Sequence, residues 1–275
     1  MENVSIIVPS YNQGIYLGDC LQSILDQTYV NWDCIIVNDG SNDQTEQIAK
    51  DWCKNDSRFS YYSQVNLGVS VARNKGISLS EGVYILTLDA DDRIHPDYLK
   101  LAIEAFNKNK ELTLVYGKAK FFGEKSGTWE LPVYSLKRLG QSNIIYNAAV
   151  YKKADWKILG GYDVSMLKGL EDWDFWIRLL QNDKKVYYIP EVCFYYRIRS
   201  ASRNHSINPQ EYLDIYKYLN IKHIDFFIKC FGTHITLIKE NNKLKKSDKA
   251  ILNSKKHALR VLMNFINPFA KNKTR

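Results

Sequence analysis

The sequence predicts an α/β protein with an open, mostly parallel central sheet flanked by helices and a C-terminal helical extension. Three observations carry that prediction. Apolar runs rich in Ile and Val, the pattern of strands buried on both faces, alternate with helix-spaced apolar residues over residues 4–107. Polar clusters close three of those runs: Tyr11-Asn12, Asn38-Asp39-Gly40 and Asp89-Ala90-Asp91-Asp92. Past residue 205 the chain becomes helical in pattern and basic.

Each element has its own local reason. Val4–Val8 is a buried strand, and with Glu2 and no basic segment before it the N-terminus does not resemble a signal peptide. Ser10–Gly14 turns, and Leu17, Leu21, Ile24 and Leu25 recur at helical spacing. Cys34–Val37 is a second strand. Asp43 and Glu46 have capping-box spacing and predict a helix through Trp52. Phe59–Ser63 is a third strand, and Asn66-Leu67-Gly68 turns into a helix carrying Ala72, Arg73, Asn74 and Gly76. Val83–Leu88 is a fourth strand, and Pro96 suits the first turn of a helix through Asn107. The second half predicts strands at Leu112–Tyr116, Lys118–Phe122, Ile144–Tyr151, Lys185–Ile189 and Val192–Ile198, with a loop at 123–141. It also predicts helices at Ala154–Leu159 and Leu170–Leu180, the second with acids in its first turn.

Strands alternating with helices give a parallel sheet whose ligands bind beyond the carboxyl ends of the strands. The three polar clusters all fall at such ends, so they converge on one crevice. The octet Ile85–Asp92 ends in three carboxylates within four positions, which repel one another unless a cation lies among them. A divalent metal beside a phosphate is one reading, and a solvated Asp-rich turn is the other. Neither a dinucleotide G-x-G-x-x-G nor a P-loop is present, so anionic ligand charge must be met by a metal or by side chains.

Composition narrows the classes further. Hydrophobic residues make up 45% and charged residues 25%, as in a soluble globular protein. No apolar run approaches the ~20 residues of a membrane span. The five cysteines are scattered without C-x-x-C spacing and read as reduced residues of a cytosolic protein. Residues 1–205 hold 24 Lys/Arg and 25 Asp/Glu, whereas residues 206–275 hold 14 and 5. The basic end suits either an anionic membrane surface or a helical cap, and no nucleic-acid motif accompanies it.

Several short motifs, in this order and spacing, resemble family 2 glycosyltransferases, the GT-A-fold (Rossmann-like) enzymes that use nucleotide sugars. They are Val4–Asn12, Ile35–Ser41, Asn66–Gly68 with Ala72–Gly76, Asp89–Asp92, Gly160–Tyr162 and Glu171-Asp172. The resemblance implies a catalytic domain over residues 1–205, with a nucleotide-binding half (1–107) and an acceptor-binding half (108–205), and a basic helical extension over 206–275. It implies nucleotide contacts at Pro9, Tyr11, Asp39, Arg73, Asp89 and Ala90, and a Mn²⁺ or Mg²⁺ ligand at Asp91 within the DXD motif Asp89-Ala90-Asp91. Asp172 is the implied catalytic base, its pKa kept low by the helix dipole, with Glu171 orienting the acceptor.

Read residue by residue, Tyr11 also fits a half-packed turn, Asp39 an Asx turn, Arg73 an exposed helix face and Asp172 ordinary helix capping. The family's histidine after the last strand is replaced by Arg199. Arg197, Arg199 and His205 are therefore candidate contacts to diphosphate or metal. The activity implied is inverting transfer of a hexosyl or N-acetylhexosaminyl group from a UDP-sugar to a glycan or lipid-linked acceptor. The setting is surface polysaccharide biosynthesis on the cytoplasmic side of a membrane. The alternatives are a sugar-1-phosphate nucleotidyltransferase, disfavoured by the absence of Lys or Arg in Pro9–Gly14, and an inactive nucleotide-sugar-binding module.

Overall fold

A computed structural model describes residues 2–200 and 207–266, the last of these (260–266) by backbone alone. The described strands form one mixed sheet of nine, in the order β3-β2-β1-β4-β8-β6-β9-β5 with β7 beside β6. β1 (Val4–Ser10), β2 (Trp32–Asp39), β3 (Phe59–Gln64) and β4 (Tyr84–Thr87) are its parallel part. β2 and β3 extend to one side of β1 and β4 to the other, so the order reverses between β1 and β4, where α/β sheets place their ligands.

Helices α1 (Gly14–Leu25), α2 (Thr45–Asn55) and α3 (Val69–Leu79) make the crossovers. β1 is buried at every position, as its apolar run requires. Gly76 lets α3 lie flat on the sheet: a Cβ there would come within 2.3 Å of the Ile7 Cγ2. The predicted capping box of α2 does not form. Asp43 instead accepts from the Thr45 amide at 3.0 Å and the Gly14 amide at 2.8 Å, tying the start of α1 to the start of α2.

The second half departs further from its sequence pattern. After β5 (Arg93–Ile94) and α4 (Tyr98–Lys108), the two predicted strands merge into β6 (Leu112–Gly123). The two strands predicted near the end likewise merge into β9 (Lys185–Ile198), parallel to β6. The pair slips register beside Pro190-Glu191, where Gly117 faces Ile189 and Lys118 faces Val192. Proline offers no amide to a ladder, so a bulge there costs little. β7 (Gly127–Trp129) and α5 (Leu136–Gln141) lie in the predicted loop.

Of the strand predicted at Ile144–Tyr151, only β8 (Val150–Lys152) joins the sheet. Upstream, side chains take the backbone carbonyls. The Tyr98 hydroxyl donates to Ala148, Thr87 Oγ1 to Asn147 and the Trp176 indole to Ile145. α6 (Lys153–Leu159) and α7 (Glu171–Leu180) follow.

The body does not stop at residue 205. The chain divides into two units, residues 1–226 and 227–275. α8 (Pro209–Lys222), opened by an Asn208–Glu211 capping box, belongs to the first. It is held there by His223, Lys222 and Tyr218, which reach Asp174 and Asp163. The second unit holds the end of α9 (Ile224–Phe231) and the long α10 (His234–Ile266). No described helix is long and apolar enough to cross a membrane.

Candidate active site

The loops after β1 and β2 are laced together at the crevice. Asn12 adopts a left-handed φ of 52°. Its amide donates to Ser41 Oγ at 2.9 Å and its side-chain oxygen accepts from the Asn42 amide at 2.8 Å. Pro9 is buried within β1, while Tyr11, just beyond it, is 47% exposed. Asp39 is buried, and both its oxygens are engaged. One accepts from Gln64 Nε2 at 2.7 Å and the Leu67 amide at 2.9 Å, the other from the Gly68 amide at 2.8 Å. Asp39 therefore pins the Asn66-Leu67-Gly68 turn against the end of β2.

Beyond β4, the acidic motif lies among guanidinium groups, with Ala90 and Asp92 buried and Asp89 and Asp91 partly exposed. Arg73 is 1% exposed, so the exposed-face alternative does not hold. It donates to Asp89 Oδ1 and to Glu171 Oε1, both at 2.7 Å, across the face of Tyr162. Ala90 is buried. Arg199 Nε donates to Asp91 Oδ2 at 2.8 Å, and Arg197 Nε to the Asp91 carbonyl at 2.7 Å. Asp92 accepts from the Arg197 amide through Oδ1, while its Oδ2 is buried without a partner. Burial, then Asp89, raises the Asp91 carboxyl, with Arg199 offsetting part of the rise. Burial, then Asp91 and Asp89, pushes Asp92 well above the usual carboxylate range. Arg197 and Arg199 thus face the acidic motif itself. His205 lies outside the described residues.

The neighbouring turn explains two more motifs. Asn74 receives the Tyr162 amide at 2.7 Å and donates to the Tyr162 carbonyl at 2.8 Å. It is a clamp on the second half. Gly161, at φ +83°, is required because a Cβ would come within 2.5 Å of Asn74 Oδ1.

Helix α7 brings three more carboxylates. Glu171, expected to orient an acceptor, is 2% exposed and accepts from Arg73. Asp172 is half-buried. Its Oδ2 accepts from Asn143 Nδ2 at 2.9 Å and its Oδ1 from the Trp173 amide at 2.8 Å. Its carboxyl is not held low by the helix dipole. Burial, then Glu171, pushes it up to about 6, against the opposing pull of Arg73 and Asn143. Asp174 is fully buried and meets His223 Nε2 at 2.8 Å, Lys222 Nζ at 2.7 Å and Arg178 Nη2 at 2.8 Å. Burial raises its carboxyl, but those partners more than offset it and hold it below the usual range. Sequence reasoning missed Asn143 and His223. Asn143 belongs to no motif, and His223 follows a helical stretch whose pattern does not say which carboxylate it meets, so no local signal marked either.

A mixed α/β sheet with this acidic motif at its reversal point defines a glycosyltransferase of the GT-A fold. Solved structures bear out the fold. Staphylococcus aureus TarS 1-349 in complex with UDP-GlcNAc superposes with a TM-score of 0.71 at 20% identity, over 86% of this chain and 73% of that one. The mannosyltransferase PcManGT from Pyrobaculum calidifontis, in complex with GDP-Man and Mn²⁺, gives 0.60 at 16% identity, over 94% and 80%.

Residues 5–166 match Glycosyl transferase family 2, and the chain belongs to that family. Among its relatives, the chondroitin synthase of Escherichia coli is 31% identical over 180 residues, 64% of this chain and 26% of the synthase. An uncharacterized glycosyltransferase of Methanocaldococcus jannaschii, MJ1057, is 29% identical over 231 residues, 80% of this chain and 78% of that protein. The chain thus spans only about a quarter of the length of the synthase.

Proposed function

We propose that this transferase moves a sugar from a UDP-sugar to a hydroxyl of a glycan or lipid-linked acceptor, with inversion, in surface polysaccharide synthesis. The observation that carries the reading is Arg73. One buried guanidinium joins the acidic motif at Asp89 to the helix that bears Asp172. Donor chemistry and proton removal therefore share one crevice.

In the reaction, Asp172 accepts the proton of the acceptor hydroxyl while that oxygen bonds to the anomeric carbon. The bond from that carbon to the diphosphate breaks, and the diphosphate departs with the electron pair. A carboxyl pushed up to about 6 is mostly ionised at neutral pH yet basic enough to take that proton. Among the described residues, the carboxylates nearest Asp172 along α7 are engaged, Glu171 by Arg73 and Asp174 by Lys222 and His223, rather than turned to act as a nucleophile. A single displacement inverts the anomeric centre. Tyr11 is exposed enough to stack on the nucleotide base, and Asp39 keeps the neighbouring turn in place beside it.

The acidic motif suits Mn²⁺ or Mg²⁺. Asp89 and Asp91 offer hard carboxylate oxygens, and burial, then Asp89, raises the Asp91 carboxyl despite the neighbouring Arg199. Among the described residues no third His, Cys, Asp or Glu completes a cluster, so further ligands must come from elsewhere. When bound, such a cation neutralises the charge growing on the leaving diphosphate. Arg197 and Arg199 border the same motif and add positive charge for that group.

The relation to chondroitin synthase and TarS supports a glycan acceptor and a UDP-sugar donor. The lysines of α10 are exposed and suit peripheral contact with an anionic membrane at its cytoplasmic face.

The test is donor turnover. UDP-, GDP- and dTDP-sugars are first ranked with Mn²⁺ by thermal shift, and the best is then incubated alone. Slow release of the nucleoside diphosphate and free sugar is expected. Pyrophosphate release would replace this reading with a nucleotidyltransferase, and tight UDP binding without any turnover would leave only a binding module.

A further inference from the structure

Asn143 belongs to no motif and to no regular element, yet it touches Asp172. It lies just beyond α5, whose last turn gives way to extended backbone at Ser142. Two indoles of α7 pin the chain on either side of it. Trp173 Nε1 donates to the Leu139 carbonyl at 2.7 Å, and Trp176 Nε1 donates to the Ile145 carbonyl at 3.0 Å. Both indoles are buried and lie three positions apart on one helix, so the segment between their acceptors is held against the first turn of α7. Asn143 sits between these two anchors, with its amide 2.9 Å from Asp172 Oδ2.

The orientation of that amide follows from its partner. An ionised carboxylate only accepts, so Nδ2 must face it. The opposite end, Oδ1, is then buried without a partner. A buried acceptor left unpaired is costly, and an apolar residue would avoid the cost. Asparagine here is an unfavourable choice for packing alone and a useful one for holding a carboxylate.

We infer that Asn143 is a positioning residue: clasped by Trp173 and Trp176, it fixes Asp172 in rotamer and stabilises its ionised form for proton removal. This rests on the reading of Asp172 as the base. Two contacts share the carboxylate, since the Trp173 amide holds Oδ1 and Asn143 holds Oδ2. The Trp173 amide is part of the backbone and comes with the helix. Asn143 is the contact that depends on a side chain from another segment. Its hydrogen bond favours the charged form and opposes the upward push of burial and of Glu171.

The test follows Asp172 directly in the full-length protein labelled with ¹³Cγ-aspartate. The resonance that disappears in Asp172→Asn identifies the group. In Asn143→Leu, a near-isosteric change that removes the donor, its titration midpoint should rise by about one pH unit. Asn143→Asp keeps the shape and adds a like charge, so it should raise the midpoint further and still report if the leucine variant fails to fold. In parallel, donor turnover by Asn143→Leu should lose about tenfold below both midpoints and recover as pH rises, because one pH unit corresponds to a tenfold change in the ionised fraction. An unchanged midpoint in both variants overturns the inference. A shifted midpoint together with normal transfer by Asp172→Asn would instead remove Asp172 as the base, separating that failure from this one.

Discussion

Two stretches of this chain carry three carboxylates within four positions: Asp89, Asp91 and Asp92 after β4, and Glu171, Asp172 and Asp174 at the start of α7. Their compositions are nearly the same and their chemistry is not. In the first cluster burial and mutual repulsion raise both Asp91 and Asp92, and Arg199 offsets only part of the rise at Asp91. In the second, each carboxylate has its own partners. Arg73 takes Glu171, Asn143 and a backbone amide take Asp172, and His223, Lys222 and Arg178 take Asp174. One cluster keeps two raised carboxyls even with Arg73, Arg197 and Arg199 beside it, and suits a hard cation. The other is neutralised around a single carboxylate, pushed up to about 6, that can exchange a proton. Crowded carboxylates are thus sorted into roles by the groups that other segments bring to them. Arg73 touches both clusters and couples them.

Asp172→Asn breaks the contrast most severely. Transfer should fall by about 10²–10⁴ with UDP affinity unchanged by calorimetry, the usual range for removing a general base. The wild-type rate should fall as pH drops through about 6, since Asp172 acts in its ionised form. Near-normal transfer by the variant would take proton removal away from the second cluster.

Arg73→Met tests the coupling. It leaves Glu171 buried without its guanidinium, and urea unfolding should show a loss of about 3–5 kcal/mol. A loss near zero would mean that the clusters are held independently.

Asp91→Ala against Asp174→Asn separates the two roles. The gain in UDP affinity that Mn²⁺ confers should vanish in the first variant, by about tenfold or more, and persist in the second. Equal losses would erase the distinction.

His223→Ala removes one partner of Asp174 and should cost about 1–3 kcal/mol. The sign of its pH dependence is set by the lowered Asp174 carboxyl. That stability is present above the unfolded pKa of about 3.9 and is lost as pH falls through the folded value. A variant whose acid unfolding matches the wild type would argue against His223 and Asp174 holding α8 to the body.

The first half of the fold was legible because β1, β2 and β4 are buried on both faces and read as apolar runs, of which β1 is the clearest, while β3 at the edge is only partly buried. The second half was less so. Ile144–Tyr151 has strand composition, but Tyr98, Thr87 and Trp176 claim its carbonyls before a ladder can. A helix was legible past residue 205, but charge balance does not reveal that His223 and Lys222 spend their charge on Asp174 and tie α8 to the body. At the site, the motifs located the acidic positions. They did not reveal that Glu171 faces Arg73, that Asn143 faces Asp172, or that Arg199 faces Asp91.

Sequence alone determined the alternation of strands and helices, the acidic positions at strand and helix ends, and the family to which the chain belongs. These are local properties, set by the periodicity of apolar residues and the spacing of short motifs. Tertiary structure alone decided which carboxylate is paired, which is raised and which is free to take a proton. A carboxylate's affinity for its proton depends on burial and on charges within a few ångströms, and here those charges come from residues as far away as the 108 positions between Asp91 and Arg199.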